Sequence, residues 1–337
     1  HDALHALHHL GEVEVGAWRR RLHYLPQRPF LLPRRTVRLA LRFPATDLDD
    51  ATMERALRRV HLWERLETSP HGPLAVLTDS VNLGQGFPDT DGPAELLDAA
   101  VEAIRTGRNQ YPPGPGIAPL RQAIADHQQR HYRLGYDPDT EVLVTAGATE
   151  AIAASILALA GPGDEVVLFE PYYDSYAATV ALAGATRRTV TMRRDGAGWT
   201  FDPAELRNAI TRRTKVIVLN TPHNPTGKVF TPDELDVIAE LANHHDLTVV
   251  ADEVYEHLSF DGRVHTPIAT RPGMRERTVT ISSAGKTFSV TGWKIGWLCA
   301  PPKLLTAVRT VKQFLTYVNG APFQPAVATA LGGDVAA

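Results

Sequence analysis

Cysteine is nearly absent: Cys299 is the only one in 337 residues. That excludes a disulfide framework within the chain and a cysteine-based zinc site. A charge excess is lacking too. Thirty-five Lys and Arg face 38 Asp and Glu, a net charge of −3, which excludes a nucleic-acid binder that works by bulk positive charge. No apolar run is long enough to span a membrane. The longest, around residues 152–160, lies between Glu150 and Gly161-Pro162. The N-terminus is His-rich and then Arg-rich, without the apolar stretch of a signal peptide. These absences predict a reducing cytoplasm, with no membrane and no nucleic-acid partner. Lysine is also scarce. Lys215, Lys228, Lys286, Lys294, Lys303 and Lys312 are the only six, so lysine chemistry has few candidates. The chain starts with His1 rather than Met, which reads as a processed or partial product.

What is present is a core-forming composition, 43% hydrophobic, at a length that suits about two domains. The first 80 residues stand apart, with twelve arginines, ten acids and no lysine. A helix is expected over 47–60, capped by Thr46 or Asp47, with Met53, Ala56, Leu57 and Val60 on one face. From Val81 onward, short apolar runs alternate with helical patterns. Strands are expected at 142–145, 165–169, 187–192, 215–219, 247–251, 277–281 and 294–299. Helices are expected at 149–160, 176–183, 203–210 and 232–244. This alternation predicts an α/β fold, a mostly parallel sheet with helices on both faces. In such sheets ligands bind beyond the carboxyl ends of the strands.

Four strand ends carry polar motifs. After 142–145 comes Ala146-Gly147-Ala148-Thr149-Glu150, a tight turn opening a helix whose free N–H groups suit a phosphate. After 215–219 comes a stiff loop, Asn220-Thr221-Pro222-His223-Asn224-Pro225-Thr226-Gly227-Lys228. It is not a P-loop, because Pro222 stands where that motif needs glycine. After 247–251 comes Asp252-Glu253-Val254-Tyr255. An acid there is costly to bury unless it meets a cation. After 277–281, Lys286 follows the small residues Ser282-Ser283-Ala284-Gly285, where desolvation can lower its pKa and make the amine a nucleophile. Each alone also fits an ordinary turn, a cap or a solvated lysine. Together they supply an anion site, an amide, an acid and a lysine, the set that pyridoxal 5′-phosphate (PLP) needs.

The chain resembles the class I/II aminotransferases of PLP fold type I, in the kynurenine aminotransferase and N-succinyldiaminopimelate aminotransferase branch. The resemblance rests on Asn82-Leu83-Gly84-Gln85-Gly86-Phe87-Pro88-Asp89, Asn109-Gln110-Tyr111, Asn224-Pro225-Thr226-Gly227, Asp252-Glu253-Val254-Tyr255 and Ser283-Ala284-Gly285-Lys286. It runs from about Thr78 to the C-terminus. It implies that Lys286 carries PLP as a Schiff base, that Asp252 pairs with the pyridine nitrogen, and that Asn224 and Tyr255 hydrogen-bond the 3′ oxygen. Tyr173 would stack on the ring. The phosphate would lie on the backbone of Ala148 and Thr149, closed in by Ser283 and Lys294. Tyr111 would reach that phosphate from the other subunit of a homodimer, and Gly86 would meet the substrate carboxylate. The implied activity moves an amino group between an amino acid and a 2-oxo acid. Elimination from cysteine S-conjugates, or a PLP-binding but impaired fragment, are the alternatives.

Two features depart from the family. Residues 1–80 form an extension of unclear origin. Its His1, His5, His8, His9 and Glu12 could share a helix face, but an exposed arm or non-native sequence fits better than a metal site. The PLP-binding domain is expected over 81–325. Residues 326–337 would then begin a small domain that is incomplete, lacking the arginine that forks onto the substrate carboxylate and so impairing activity.

Overall fold

The computed structural model describes residues 90–196 and 198–333, together with Ala51, Glu54, Arg55 and Arg58. The chain divides into two compact units, 1–86 and 87–337. In the first, the helix expected over 47–60 falls mostly outside the described residues. The four described there are helical, with Arg58 Nε donating to Glu54 Oε1 at 2.9 Å. The His1–Glu12 spacing and the motif at 82–89, with Gly86, lie outside the described residues altogether.

The second unit is built on eight strands: β1 (Val142–Ala146), β2 (Glu165–Glu170), β3 (Thr186–Asp195), β4 (Gly198–Phe201), β5 (Thr214–Asn220), β6 (Thr248–Asp252), β7 (Thr278–Ser283) and β8 (Ile295–Cys299). Their order across the sheet is β1-β8-β7-β6-β5-β2-β3-β4. The pairs from β7 through β3 are parallel. β8 runs antiparallel to both β1 and β7, and β4 antiparallel to β3. Six strands therefore share one direction, and β8 and β4 oppose them.

Helices cover both faces: α1 (Ala94–Arg105), α2 (Ala118–Tyr132), α3 (Gly147–Leu159), α4 (Asp174–Leu182), α5 (Pro203–Ala209), α6 (Pro232–His244), the single turn α7 (Ala284–Thr287), α8 (Pro302–Leu315) and α9 (Phe323–Gly332). The two-residue period of the strands sorts the core. In β5 and β6, Ile217, Leu219, Val249 and Ala251 join one apolar cluster with Leu235 and Ile238 of α6. Val216, Val218 and Val250 join another with Ile152 and Ile156 of α3. A third cluster packs α1, α2 and α9 on β1 and β8 through Leu96, Ile124, Val327 and Trp297. Helix starts follow local chemistry. Thr231 and Glu234 form a reciprocal capping box at α6, with Pro232 in its first turn. Asp202 accepts from Ala204 N at 2.8 Å before Pro203 at α5. Among the described residues no helix is long and apolar enough to cross a membrane.

Candidate active site

Strand register brings the polar strand ends to one rim. Asn220 stands opposite Asp252, Asp252 opposite Ile281, Ser283 opposite Gly296, and Ala146 opposite Ile295. Because β8 runs against its neighbours, its beginning, with Lys294 just before it, lies at the rim where β1, β5, β6 and β7 end.

Asp252 is buried at the last position of β6. Tyr176 Oη donates to its Oδ2 at 2.6 Å, and Val254 N to its Oδ1 at 3.3 Å. Burial pushes the carboxyl up to about 6, against the pull of these bonds and of Lys286. Asn220 cross-links two strand ends. Its Nδ2 donates to Asp252 O at 2.9 Å, and its Oδ1 accepts from Asn224 N at 2.6 Å. The loop carrying Asn224 is closed by His223 N donating to Lys228 O, Gly227 N donating to His223 O, and a 2.8 Å contact between His223 Nδ1 and Thr226 Oγ1. Gly227 sits at φ 70°, where a side chain would be strained. Burial pushes His223 down to about 4, so it stays neutral.

Lys286 lies in α7, directly after β7. Its Nζ is 5.7 Å from the centre of the Tyr255 ring. Desolvation lowers its pKa. The Asp252 carboxylate opposes that shift, and the Lys294 ammonium adds to it. Tyr255 is held high by burial first, then by the charge of Asp252 and by Tyr173. Tyr173 precedes α4, and its ring meets that of Tyr176 edge-on at 5.7 Å. Two other lysines have structural partners. Lys228 Nζ binds Trp199 O at 2.6 Å and Glu234 at 2.8 Å, and Lys312 Nζ binds Tyr317 O at 2.7 Å.

The start of α3 forms the other half of the site. No N-cap side chain claims its first N–H groups, while Glu150 of the first turn reaches back to accept from Ala146 N at 2.6 Å. Gly147 has φ 76°, and a Cβ there would sit 3.1 Å from Lys294 Nζ. Lys294 is itself in the left-handed region, φ 56°. A Cβ on Gly296 would sit 2.7 Å from Ala148 N, so β8 presses against the helix start. Ser283 ends β7 beside it, opposite Gly296. A lysine ammonium beside the positive end of a helix is unfavourable unless an anion joins them. The donor set therefore fits a phosphate-bearing group, with Asp252 and Lys286 at the same rim. Ala148 is half-buried and Thr149 exposed, leaving this end of the helix accessible.

Of the residues singled out from sequence, Asp252, Tyr255, Lys286, Ser283, Lys294, Ala148, Thr149, Asn224 and Tyr173 stand on this rim or on the segments that follow its strands. Tyr111 is 82% exposed, and its ring meets Tyr317 at 5.7 Å. Gly86 is outside the described residues. Asn220 is quoted from sequence only as the start of a stiff loop, and Tyr176 and Gly296 carry no expected role there. The one sequence signal for Tyr176 is its i,i+3 spacing from Tyr173 at a helix start.

Comparisons with known proteins agree with this geometry. The family model for aminotransferase class I and II matches residues 78–336. The probable N-succinyldiaminopimelate aminotransferase DapC of Mycobacterium tuberculosis is 59% identical over 258 residues, covering 77% of this chain and 65% of that protein. Mouse kynurenine–oxoglutarate transaminase 3 is 44% identical over 271 residues, covering 78% of this chain and 60% of that protein. The chain thus spans less than two thirds of the length of these relatives. The solved structure of the M. tuberculosis N-succinyldiaminopimelate aminotransferase superposes with a TM-score of 0.76 at 55% identity, covering 83% of this chain and 73% of that one. The sheet order and helical layers are accordingly those of fold type I of the PLP-dependent enzymes. With the family model matched over most of its length and relatives 59% and 44% identical to it, this chain belongs to the class I and II aminotransferases.

Proposed function

We propose that the chain binds PLP and moves an amino group between an amino acid and a 2-oxo acid. The observation that carries this is the convergence of Lys286 and Asp252 from adjacent strand ends, next to a helix start that Lys294 makes ready for an anion. Class I and II aminotransferases generally use PLP, and its phosphate, ring nitrogen and aldehyde each have a matching group here. Lys286 would hold it covalently. Ala148, Thr149, Ser283 and Lys294 would take the phosphate, Asp252 the ring nitrogen, Asn224 and Tyr255 the ring oxygen, and Tyr173 the ring face. Bound there, PLP supplies a sink for the electrons released when a Cα–H bond breaks.

The chain's own residues do the rest. The lowered pKa of Lys286 favours a neutral amine, which would take the α-proton of an amino acid. Asp252, kept in place by Tyr176 and Asn220, would hold a proton at the ring nitrogen. Lys294 and the α3 amides would anchor the phosphate. We further infer a homodimer in which Tyr111 serves the partner's site. A cytoplasmic setting is in keeping with Cys299, a buried free thiol. The test is borohydride reduction of the PLP-loaded protein followed by peptide mapping. The pyridoxyl group is expected on Lys286, and finding it on any other lysine would overturn the assignment.

A further inference from the structure

We propose that His127, Glu256 and His257 form a divalent metal site of the zinc class, separate from the amino-transfer chemistry and independent of the reading above. One ligand atom from each of the three lies within 4.8 Å of the other two. His127 comes from α2, and Glu256 and His257 from the turn after β6. The two imidazole Nε2 atoms are 2.8 Å apart. His127 is fully buried and Glu256 is 5% exposed.

The partners of this group are unevenly filled. Ser282 Oγ donates to Glu256 Oε1 at 2.5 Å. Tyr132 also interacts with the Glu256 carboxylate, while His131 Nε2 is buried without a hydrogen-bond partner. The carboxylate lies close to the two imidazoles, whose Nε2 atoms share one proton between them as they stand. A cation would take that proton's place and draw on both lone pairs. His131 lies one helical turn after His127 on the same face of α2. Its ring centre is 4.6 Å from that of His127 and 5.2 Å from that of His257.

Two imidazoles and a carboxylate are a zinc-type donor set, with a fourth position open to water or a further nitrogen such as that of His131. Ligands about 2.0–2.1 Å from a tetrahedral ion lie roughly 3.3 Å apart. The 2.8 Å His127–His257 separation would therefore open by about half an ångström. Ser282 supplies the hydrogen bond that orients the carboxylate. Such an ion would tie α2 to the segment that carries Tyr255, and through Ser282 to the end of β7 beside Ser283. Its role is a clamp that fixes the rim.

The test titrates the chelator-stripped, purified full chain, without an affinity tag, with Zn²⁺ against a chromophoric competitor and with Co²⁺ by visible absorption. His1, His5, His8 and His9 could also bind metal, so three proteins are compared. The parent is expected to bind one ion tightly, with Zn²⁺ at 100-fold excess over Kd raising Tm by about 5 °C. His257→Ala should weaken that ion about 100-fold or more. A variant with His1, His5, His8 and His9 all changed to Ala should keep both the ion and the Tm rise. Absence of a tight ion in the parent overturns the proposal, as does equal affinity in a folded His257→Ala. If His257→Ala does not fold, the four-histidine variant decides alone. Retention of the ion supports the site and its loss overturns it.

Discussion

Asp252 and Glu253 are neighbours in the chain. Both are buried, and burial pushes both carboxyl pKa values up. Their surroundings differ. Asp252 receives the Tyr176 hydroxyl and faces the Lys286 amine. Glu253 meets His265 Nε2 at 3.0 Å and is completely enclosed. Burial, the largest single influence, would lower His265, but the charge and hydrogen bond of Glu253, joined by the charge of Glu256, leave it raised. A raised histidine contributes stability below its unfolded pKa of about 6.5 and loses it as pH rises through the folded value. One acid thus faces a reactive amine at an open rim, and the other belongs to a sealed pair. Burial raises both carboxyls, so burial alone does not distinguish the acid proposed for the cofactor from the one sealed against a histidine. What marks the former is a second titratable group reachable by a ligand.

The largest test of this contrast removes the amine. Lys286→Ala is expected to lose amino transfer by about 10⁴-fold, the upper range for a proton-transfer group. Mixing it with Tyr111→Phe should restore part of the activity, because a hybrid dimer then holds one site with neither change. Hybrids that form without any restoration would remove Tyr111 from the partner's site.

Next come the two acids. Asp252→Ala should cost on the order of 10²-fold or more in kcat, since it removes an interaction that strengthens as charge develops. Glu253→Gln should leave kcat within about threefold and lower the denaturation midpoint instead. If turnover falls equally in both, the division drawn between them is wrong.

Tyr176→Phe sharpens the point. The Tyr176 bond opposes the rise of the Asp252 pKa, so its loss should move the acid limb of the kcat/KM profile to higher pH. At pH 7 the cost should be about tenfold, one hydrogen bond to a charged group. An unmoved acid limb would show that the hydroxyl does not tune Asp252.

The last effect is on stability rather than turnover. Burial lowers His223 to about 4, so the unfolded chain binds its proton first as pH falls below about 6.5. Stability held at pH 7 is then lost toward pH 4, about 2 kcal/mol of it by pH 5 from this residue. Urea denaturation at pH 7 and pH 5 should show that loss in the parent, and a smaller one by about that amount in His223→Gln.

Much of this layout was legible beforehand. The expected strands at 142–145, 165–169, 215–219 and 247–251 fall within one or two residues of β1, β2, β5 and β6, because buried parallel strands are written as continuous apolar runs. Strand β4 was not. Gly198–Phe201 is four residues long and only partly buried, too short for a period to show. Helix α2 was missed for another reason. It reads as polar through Asp126-His127-Gln128-Gln129-Arg130-His131, yet His127 and Gln128 are buried.

The sequence by itself determined that polar motifs follow the strands at 142–145, 215–219, 247–251 and 277–281, because strand periodicity and turn chemistry are local. Only the tertiary structure decided which of them meet. Tyr176 and Asp252 are 76 positions apart, Gly296 presses on the start of α3, and His127 lies 130 positions from His257. Each of these contacts depends on the sheet order β1-β8-β7-β6-β5-β2-β3-β4. That order follows from how whole helical and sheet faces bury against one another, and no local stretch of the chain encodes it.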